Sequence, residues 1–301
     1  MTTSVALCTY NGEKYLAEQL DSILSQSIVV DEIVVCDDGS TDGTIRILDE
    51  FENKFPLVFK IFKNEKNLGY TKNFEKAISL CSGDLIFLCD QDDVWKNNKI
   101  ERIKKIAECR PDKNVFAHRI EILTPNNEVQ NISFWDIEGF NKNWDNAELL
   151  KYLLFQRNVF PGMSLAITKT AKEKYLPLQT PHKNIIHDYE ILLKSIRDHA
   201  FLMIDESLTL YRKHDHQNIG FDTDINTNTT ETLASFYSKI KRIPLIKDCV
   251  TAFRLDPNLV DLYTEKCRED YRKFILNLPL AKRWITKIKM KYYYKILDEI
   301  F

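Results

Sequence analysis

The 301-residue sequence is short of several things, and each shortage excludes a class of protein. Glycine occurs only eight times. No Walker or dinucleotide-type glycine loop is among them, so backbone amides are not expected to cradle a polyphosphate. No CxxC pair occurs among the seven cysteines, which argues against zinc and disulfide frameworks alike. Cys8, Cys36 and Cys89 lie in or at the ends of apolar runs, where cysteine serves as a small hydrophobe, and a reducing setting is expected. No apolar run approaches the roughly 18–20 residues that cross a bilayer. The opening "MTTSVALCTYNG" carries no basic leader and long apolar core, so no secretory signal and a cytoplasmic location are expected. The formal net charge of -2 gives no long-range attraction to nucleic acid.

What is present has an ordinary globular composition: 44% hydrophobic and 29% charged, neither disordered nor fibrous. The first hundred residues alternate short apolar runs with amphipathic ones. "SVALC", "EIVVCDD", "LVFKIFK" and "DLIFLC" read as strands. "EKYLAEQLDSILSQ", "TDGTIRILDEFENKF", "YTKNFEKAISLC" and "NKIERIKKIAEC" read as helices. That alternation predicts an α/β protein with a mostly parallel central sheet flanked by helices. Ligands bind beyond the carboxyl ends of such strands. Each exit here carries a polar cluster: "TYNG", "DDGSTDG", "KNLGY" and "DQDD" in turn.

From Pro111 to Pro181 the pattern loosens, with a helix predicted at "NAELLKYLLF" and a buried strand at "PGMSLAIT". "HDYEILLKSIR" reads as a helix and "FLMIDESLTLYRKHD" as two short strands. The polar tract beyond Gly220 reads as a linker to a helix-rich remainder.

Asp90, Asp92 and Asp93 crowd like charges at the end of the fourth strand, where each makes its neighbours harder to ionise. Asp90 and Asp92, two positions apart, can relieve that repulsion by sharing a hard cation such as Mg²⁺ or Mn²⁺, which takes carboxylate and phosphate oxygens. Asp93 reads equally well as the cap of a helix beginning near Trp95. In "CDDGSTDGT", Ser40 or Thr41 is expected to cap the next helix. An EF-hand fails there, because Leu48 stands where its last acid would be.

Together these stretches resemble glycosyltransferase family 2, whose members have the A-type (GT-A) fold with a Rossmann-like nucleotide-binding half. "VALCTYNGEKYLAEQLDSILSQ", "DEIVVCDDGSTDGT", "NEKNLGYTKNFEKAI" and "GDLIFLCDQDDVW" carry the resemblance. The "CDQDDVW" form resembles the rhamnosyltransferase-like branch, which builds bacterial surface polysaccharides. The resemblance implies that Thr9, Tyr10 and Asn11 line the nucleotide pocket with Gly69 and Lys72. It implies that Asp38 recognises the base, that Asp90 lies by the ribose and phosphates, and that Asp92 is the direct metal ligand. It also implies an inverting transfer from a nucleoside diphosphate-sugar, dTDP-rhamnose or a UDP-hexose, to a saccharide acceptor that is lipid-linked in some members. Mg²⁺ or Mn²⁺ would stabilise the departing diphosphate.

Transfer needs a base for the acceptor hydroxyl. Asp188, in "HDYEILL", matches the family's acid at the start of a helix near the acceptor site; on its residues alone it could equally be a helix cap. Glu190 is the reserve candidate. His187 and Gly162 are placed at the acceptor cleft, Gly162 because a missing side chain permits close approach. "LYRKHDHQNIG" resembles the branch's "YRxH" loop, placing Arg212 at the diphosphate and His214 at the metal. Gln217 departs from that pattern, which has asparagine at its place. Two rival functions are a sugar-nucleotide nucleotidyltransferase, disfavoured because "CTYNGEKY" lacks a glycine-rich basic loop, and a non-catalytic subunit retaining the fold.

The expected organisation is a GT-A domain at 1–220, with a nucleotide-sugar half at 1–110 and an acceptor half at 111–220, followed by a helical, basic extension at 221–301. Residues 272–295 carry eight basic and no acidic side chains, interleaved with aromatics in "KRWITKIKMKYYYK". Such a segment suits an anionic membrane surface at the inner face of the cell membrane, or packs its aromatics on protein.

Overall fold

β1 (Thr3–Thr9), β2 (Glu32–Asp37) and β4 (Leu85–Cys89) are buried along their whole lengths. That is why they are unbroken apolar runs rather than alternating ones. The computed structural model describes residues 1–214, 238–277 and 283. These fall into two compact units, one within Met1–Ile225 and the other within Asn226–Phe301.

In the first unit β1 pairs in parallel with β2 and β4, and β2 with β3 (Phe59–Lys63). The sheet extends through β8 (Leu165–Thr168), β6 (Val115–Leu123), β9 (Phe201–Arg212) and the short β5 (Val94–Trp95), in the order β3-β2-β1-β4-β8-β6-β9-β5. β7 (Val129–Ser133) pairs with β6. β8 runs antiparallel to both of its neighbours, so the sheet is parallel in its first half and mixed in its second.

Helices α1 (Leu16–Leu24), α2 (Thr44–Lys54), α3 (Tyr70–Leu80) and α4 (Lys99–Cys109) connect the early strands, and each buries one stripe. Leu16, Leu20 and Ile23 of α1 recur at helical spacing and meet Val5, Val35 and Phe87 in one core. Beyond them come α5 (Phe134–Ile137), α6 (Asn146–Phe155), α7 (Lys169–Tyr175) and α8 (His187–Arg197).

Two sequence expectations change. "PGMSLAIT" opens as a 3-10 turn, Gly162–Ser164, before β8 begins. The two strands expected after Ala200 are the single strand β9. Its polar centre, Asp205-Glu206-Ser207, reads as a break, but Asp205 pairs with Arg119 and Lys142, and Glu206 with Arg102. Register shifts around Arg119 let β6 and β9 stay together through it.

The second unit contains α9 (Arg242–Phe253) and α10 (Asn258–Asn277), with Cys249, Phe253, Tyr263 and Cys267 buried. No helix among the described residues is long and apolar enough to cross a membrane. His216, Gln217 and Gly220, and most of the basic 272–295 segment, lie outside the described residues.

At the opposite end of the sheet from the polar clusters, Glu32 is buried and its carboxylate accepts from Ser4 Oγ (2.5 Å), Ser82 Oγ (3.0 Å) and Lys60 Nζ (2.6 Å). Burial alone would raise its pKa. The hydrogen bonds from Lys60, Ser4 and Ser82 outweigh that and hold it at about 2. Glu32→Gln is expected to lower unfolding free energy by about 1–3 kcal/mol at pH 7, read by urea denaturation. Because the folded pKa is depressed, wild type should lose this advantage as pH falls from about 4.5 towards 2. A stability gap that stayed constant across that window would show that the charge contributes nothing.

Candidate active site

Four strand exits are stitched into one rim by their own side chains. Thr9 Oγ1 donates to Asp37 Oδ1 (2.8 Å), and the Asp38 N–H donates to the Thr9 carbonyl (2.8 Å), joining the first exit to the second. Asn11 donates its N–H to Ser40 Oγ (2.9 Å) and accepts from the Thr41 N–H (2.8 Å). Asn11 sits at φ 50°, a left-handed conformation that asparagine tolerates. Asp38, only 3% exposed, accepts from Asn64 Nδ2 and from the N–H groups of Leu68 and Gly69. Its carboxylate therefore ties the third exit to the second. Gln91 closes the ring: its amide accepts from the Tyr10 N–H (2.8 Å) and donates to the Tyr10 carbonyl (3.1 Å). A Cβ on Gly12 would stand 2.3 Å from Gln91 Oε1, so glycine is required for this closure.

The acidic loop follows β4. Asp90 is pushed up to about 8 by burial first, then by the charges of Asp92 and Asp188, with Lys99 opposing. Asp93 is raised well above the carboxylate range by burial and by Asp92 and Asp90. It is not a helix cap. β5 follows it directly, α4 starts only at Lys99, and Asp93 Oδ1 instead accepts from the Arg212 N–H (3.1 Å). Asp92 faces the end of β9: its Oδ2 lies 2.9 Å from His214 Nε2. His214 in turn packs on Tyr15, 4.9 Å between ring centres.

Among the described residues, no three acidic, histidine or cysteine side chains converge as a ready-made metal site, so the expected trio Asp90, Asp92 and His214 is not closed. The chain bends at Gln91 and Asp92, and the charge of Asp92 still acts on Asp90 across the bend. Asp92 and His214 converge as a pair, and a hard cation needs only one or two protein ligands when a diphosphate supplies the rest.

Asp188 lies in the first turn of α8, not at its cap, which is Ile186. It is 4% exposed and burial pushes its carboxyl up to about 7, although backbone N–H groups of Tyr189 and Gly162 oppose the shift. Asp188 is one of the charges that raise Asp90, so carboxylates from β4 and α8 share one electrostatic environment. Gly162 lies against this turn: a Cβ there would press on His187 Nε2 at 3.0 Å and make ordinary contact with Asp188 Oδ2 at 3.8 Å. His187 stacks on Phe74 at 4.1 Å, has no hydrogen-bond partner on either ring nitrogen among the described residues, and is held near 3 by burial.

Several expected residues are placed otherwise. Arg212 does not reach out to a diphosphate: its guanidinium donates to the Asp92 carbonyl (3.0 Å), Asn127 Oδ1 (2.5 Å) and Glu18 Oε2 (2.6 Å), and stacks on Tyr15. Its work is to brace the acidic loop. Lys72 pairs with Glu75 (2.6 Å) and lines a groove of about 630 Å³ with Leu68, Lys76 and Lys172, which no strand-exit acid lines. Glu190 is fully buried, its carboxylate taken by the N–H groups of Gln179 and Thr180 and by Lys194. Ser40 and Thr41 do not cap α2, whose N-cap is Gly43; Ser40 donates to Asp37 instead. Sequence reasoning missed Gln91 and Lys99. The available signal for Lys99 was a lysine on the apolar stripe of α4, with Ile100, Ile103 and Ala107.

The Glycosyl transferase family 2 model matches residues 4–170, and the chain belongs to that family. It is 27% identical over 253 residues to the dTDP-rhamnosyl transferase RfbG of Shigella flexneri, covering 80% of this chain and 79% of that one. It spans 59% of the length of the first curated relatives it matches, mycobacterial proteins at 25% identity. Its fold is the GT-A fold of Staphylococcus aureus TarS in complex with UDP-GlcNAc: TM-score 0.60, 19% identity, 95% of this chain and 79% of that one. The mannosyltransferase PcManGT of Pyrobaculum calidifontis, in complex with GDP-Man and Mn²⁺, aligns with TM-score 0.55 and 15% identity, over 97% and 79% of the two chains.

Gly162→Ala is expected to cost about 1–3 kcal/mol of stability, because the buried His187–Phe74 stack cannot yield cheaply. A urea midpoint equal to wild type would show that the turn has slack.

Proposed function

We propose that this protein is an inverting, metal-dependent glycosyltransferase. It moves a sugar from a nucleoside diphosphate-sugar, dTDP-rhamnose or a UDP-hexose, to a hydroxyl of a saccharide acceptor in bacterial-type surface polysaccharide synthesis. The observation that carries this is Asp188: a buried carboxylate with a raised pKa, electrostatically linked to Asp90, at the edge of a rim built from four strand exits. RfbG supports the rhamnosyl donor, and the TarS complex supports a UDP-linked one.

Thr9, Tyr10, Asn11, Asp38 and Gly69 form the wall on which the nucleotide rests, already tied down by hydrogen bonds such as Thr9 to Asp37, Asn11 to Ser40 and Gly69 to Asp38. Asp92 and His214 would hold Mg²⁺ or Mn²⁺, which when bound stabilises charge on the leaving diphosphate. Asp188 takes the proton of the acceptor hydroxyl as that oxygen attacks the anomeric carbon and the bond to the diphosphate breaks. Glu190 is committed to Gln179, Thr180 and Lys194, which leaves one acceptor-side carboxylate and fits a single displacement with inversion.

Asp188→Asn is expected to reduce transfer about 10²–10⁴-fold, the usual contribution of a general base, with nucleoside diphosphate affinity within about threefold of wild type. In wild type, kcat should rise with pH and level off above about 7, because Asp188 acts only when ionised. Full activity in the Asn variant removes Asp188 from the mechanism. Chelation with EDTA is expected to stop nucleoside diphosphate release during sugar transfer, and added Mn²⁺ to restore it; transfer that persists in EDTA would reject the metal assignment.

A further inference from the structure

Lys99 opens α4 yet is fully buried, a costly position for an amine unless it is well held. Its Nζ donates to the Met163 carbonyl at 2.8 Å and to Thr209 Oγ1 at 2.9 Å, and stands 3.8 Å from the centre of the Trp95 ring. These contacts come from three separate elements. Met163 is the middle of the Gly162–Ser164 turn, Thr209 lies on β9, and Trp95 ends β5.

Each element leads to a group at the site. Gly162, next to Met163, gives Asp188 a backbone N–H and stands in contact range of its carboxylate. β9 runs on from Thr209 to Arg212, which grips the Asp92 carbonyl and Asp93, and to His214 beside Asp92. β5 continues from the acidic loop, and Lys99 is one of the charges felt by Asp90 and Asp93.

We propose that Lys99 is a positioning residue for sugar transfer: it pins the Met163 carbonyl to β9 beneath the acidic loop and so sets where Asp188 stands relative to the donor. The proposal rests on Asp188 being the base. A lysine that merely filled the core would be replaceable, because buried hydrogen-bonded charges can often be exchanged for apolar side chains of similar volume. A lysine that holds the turn is not, since a shift of about 1 Å at a reacting group can cost about 10²-fold in rate.

The test is Lys99→Met in the full chain, with kcat normalised to the fraction of molecules that bind the nucleoside diphosphate by calorimetry. Positioning predicts a fall in kcat of about 100-fold, with nucleoside diphosphate affinity and acceptor KM within about threefold. A purely structural role predicts lower stability but unchanged normalised kcat, and that result overturns the proposal. Should Lys99→Met fail to fold, the Thr209 hydroxyl decides. Thr209→Val should lower kcat about tenfold and Thr209→Ser should retain it; equal rates in the two overturn the proposal. If wild type and Lys99→Met transfer equally while Asp188→Asn does not, only the Lys99 inference falls. If Asp188→Asn also transfers normally, the base assignment falls with it.

Discussion

Like-charge crowding at the end of a buried strand is the constraint around which this site is organised. Two carboxylates about 4 Å apart repel by about 4 kcal/mol at an effective dielectric of 20, and burial adds to the cost. Asp90, Asp92 and Asp93 crowd the end of β4, where burial and neighbouring carboxylates raise Asp90 and Asp93. The fold offsets part of the charge from three sides: Lys99 below, the Arg212 backbone against Asp93, and His214 against Asp92. It does not offset all of it. Asp93 keeps one buried oxygen without a hydrogen bond among the described residues, and Asp90 remains far above its ordinary pKa. Carboxylates left this short of counter-charge are stabilised by a bound proton or by a nearby cation.

Carboxylates at the neighbouring exits do different work. Asp37 accepts from Gly39 and Ser40, and Asp38 from Leu68, Gly69 and Asn64, so both acids serve as anchors for loop backbone. Their oxygens are already engaged by N–H donors, and the loops they hold become a stiff wall. Pre-ordered walls reduce the entropy lost when a nucleotide binds. The division is chemical: acids ringed by donors build the site, and acids short of donors are available to act in it.

Much of this was legible in the amino-acid order, and the limits are instructive. Buried strands flanked by amphipathic helices follow from local pattern, so α3, α6 and α8 lie within a residue of their expected spans. The convergence of four exits follows from a topological rule applied to those strands. What escaped depends on long-range pairing. β6 and β7 lack a distinctive local pattern, and β9 carries a polar centre whose compensation by Arg119, Lys142 and Arg102 comes from distant segments. The same holds for Arg212. A guanidinium near a strand exit suggests an anion, yet its partners Glu18 and Asn127 are 194 and 85 positions away. Lys99 was hidden because a lysine at a helix start is ordinarily solvated, and only the fold closes over it.

The first turn of α8 shows how environment rather than residue type assigns roles. Asp188 and Glu190 are both buried carboxylates, two positions apart and so on nearly opposite faces of the helix. Glu190 faces the 179–180 loop, where two N–H groups and the Lys194 ammonium satisfy it. Asp188 faces Gly162, where burial raises its carboxyl and backbone N–H groups oppose that rise. Its proton affinity is therefore raised into the neutral range, where a base can be ionised before the reaction and still hold a proton during it. Two acids separated by one residue thus meet different surroundings, Glu190 the Lys194 ammonium on one face and Asp188 a buried turn with backbone N–H groups on the other.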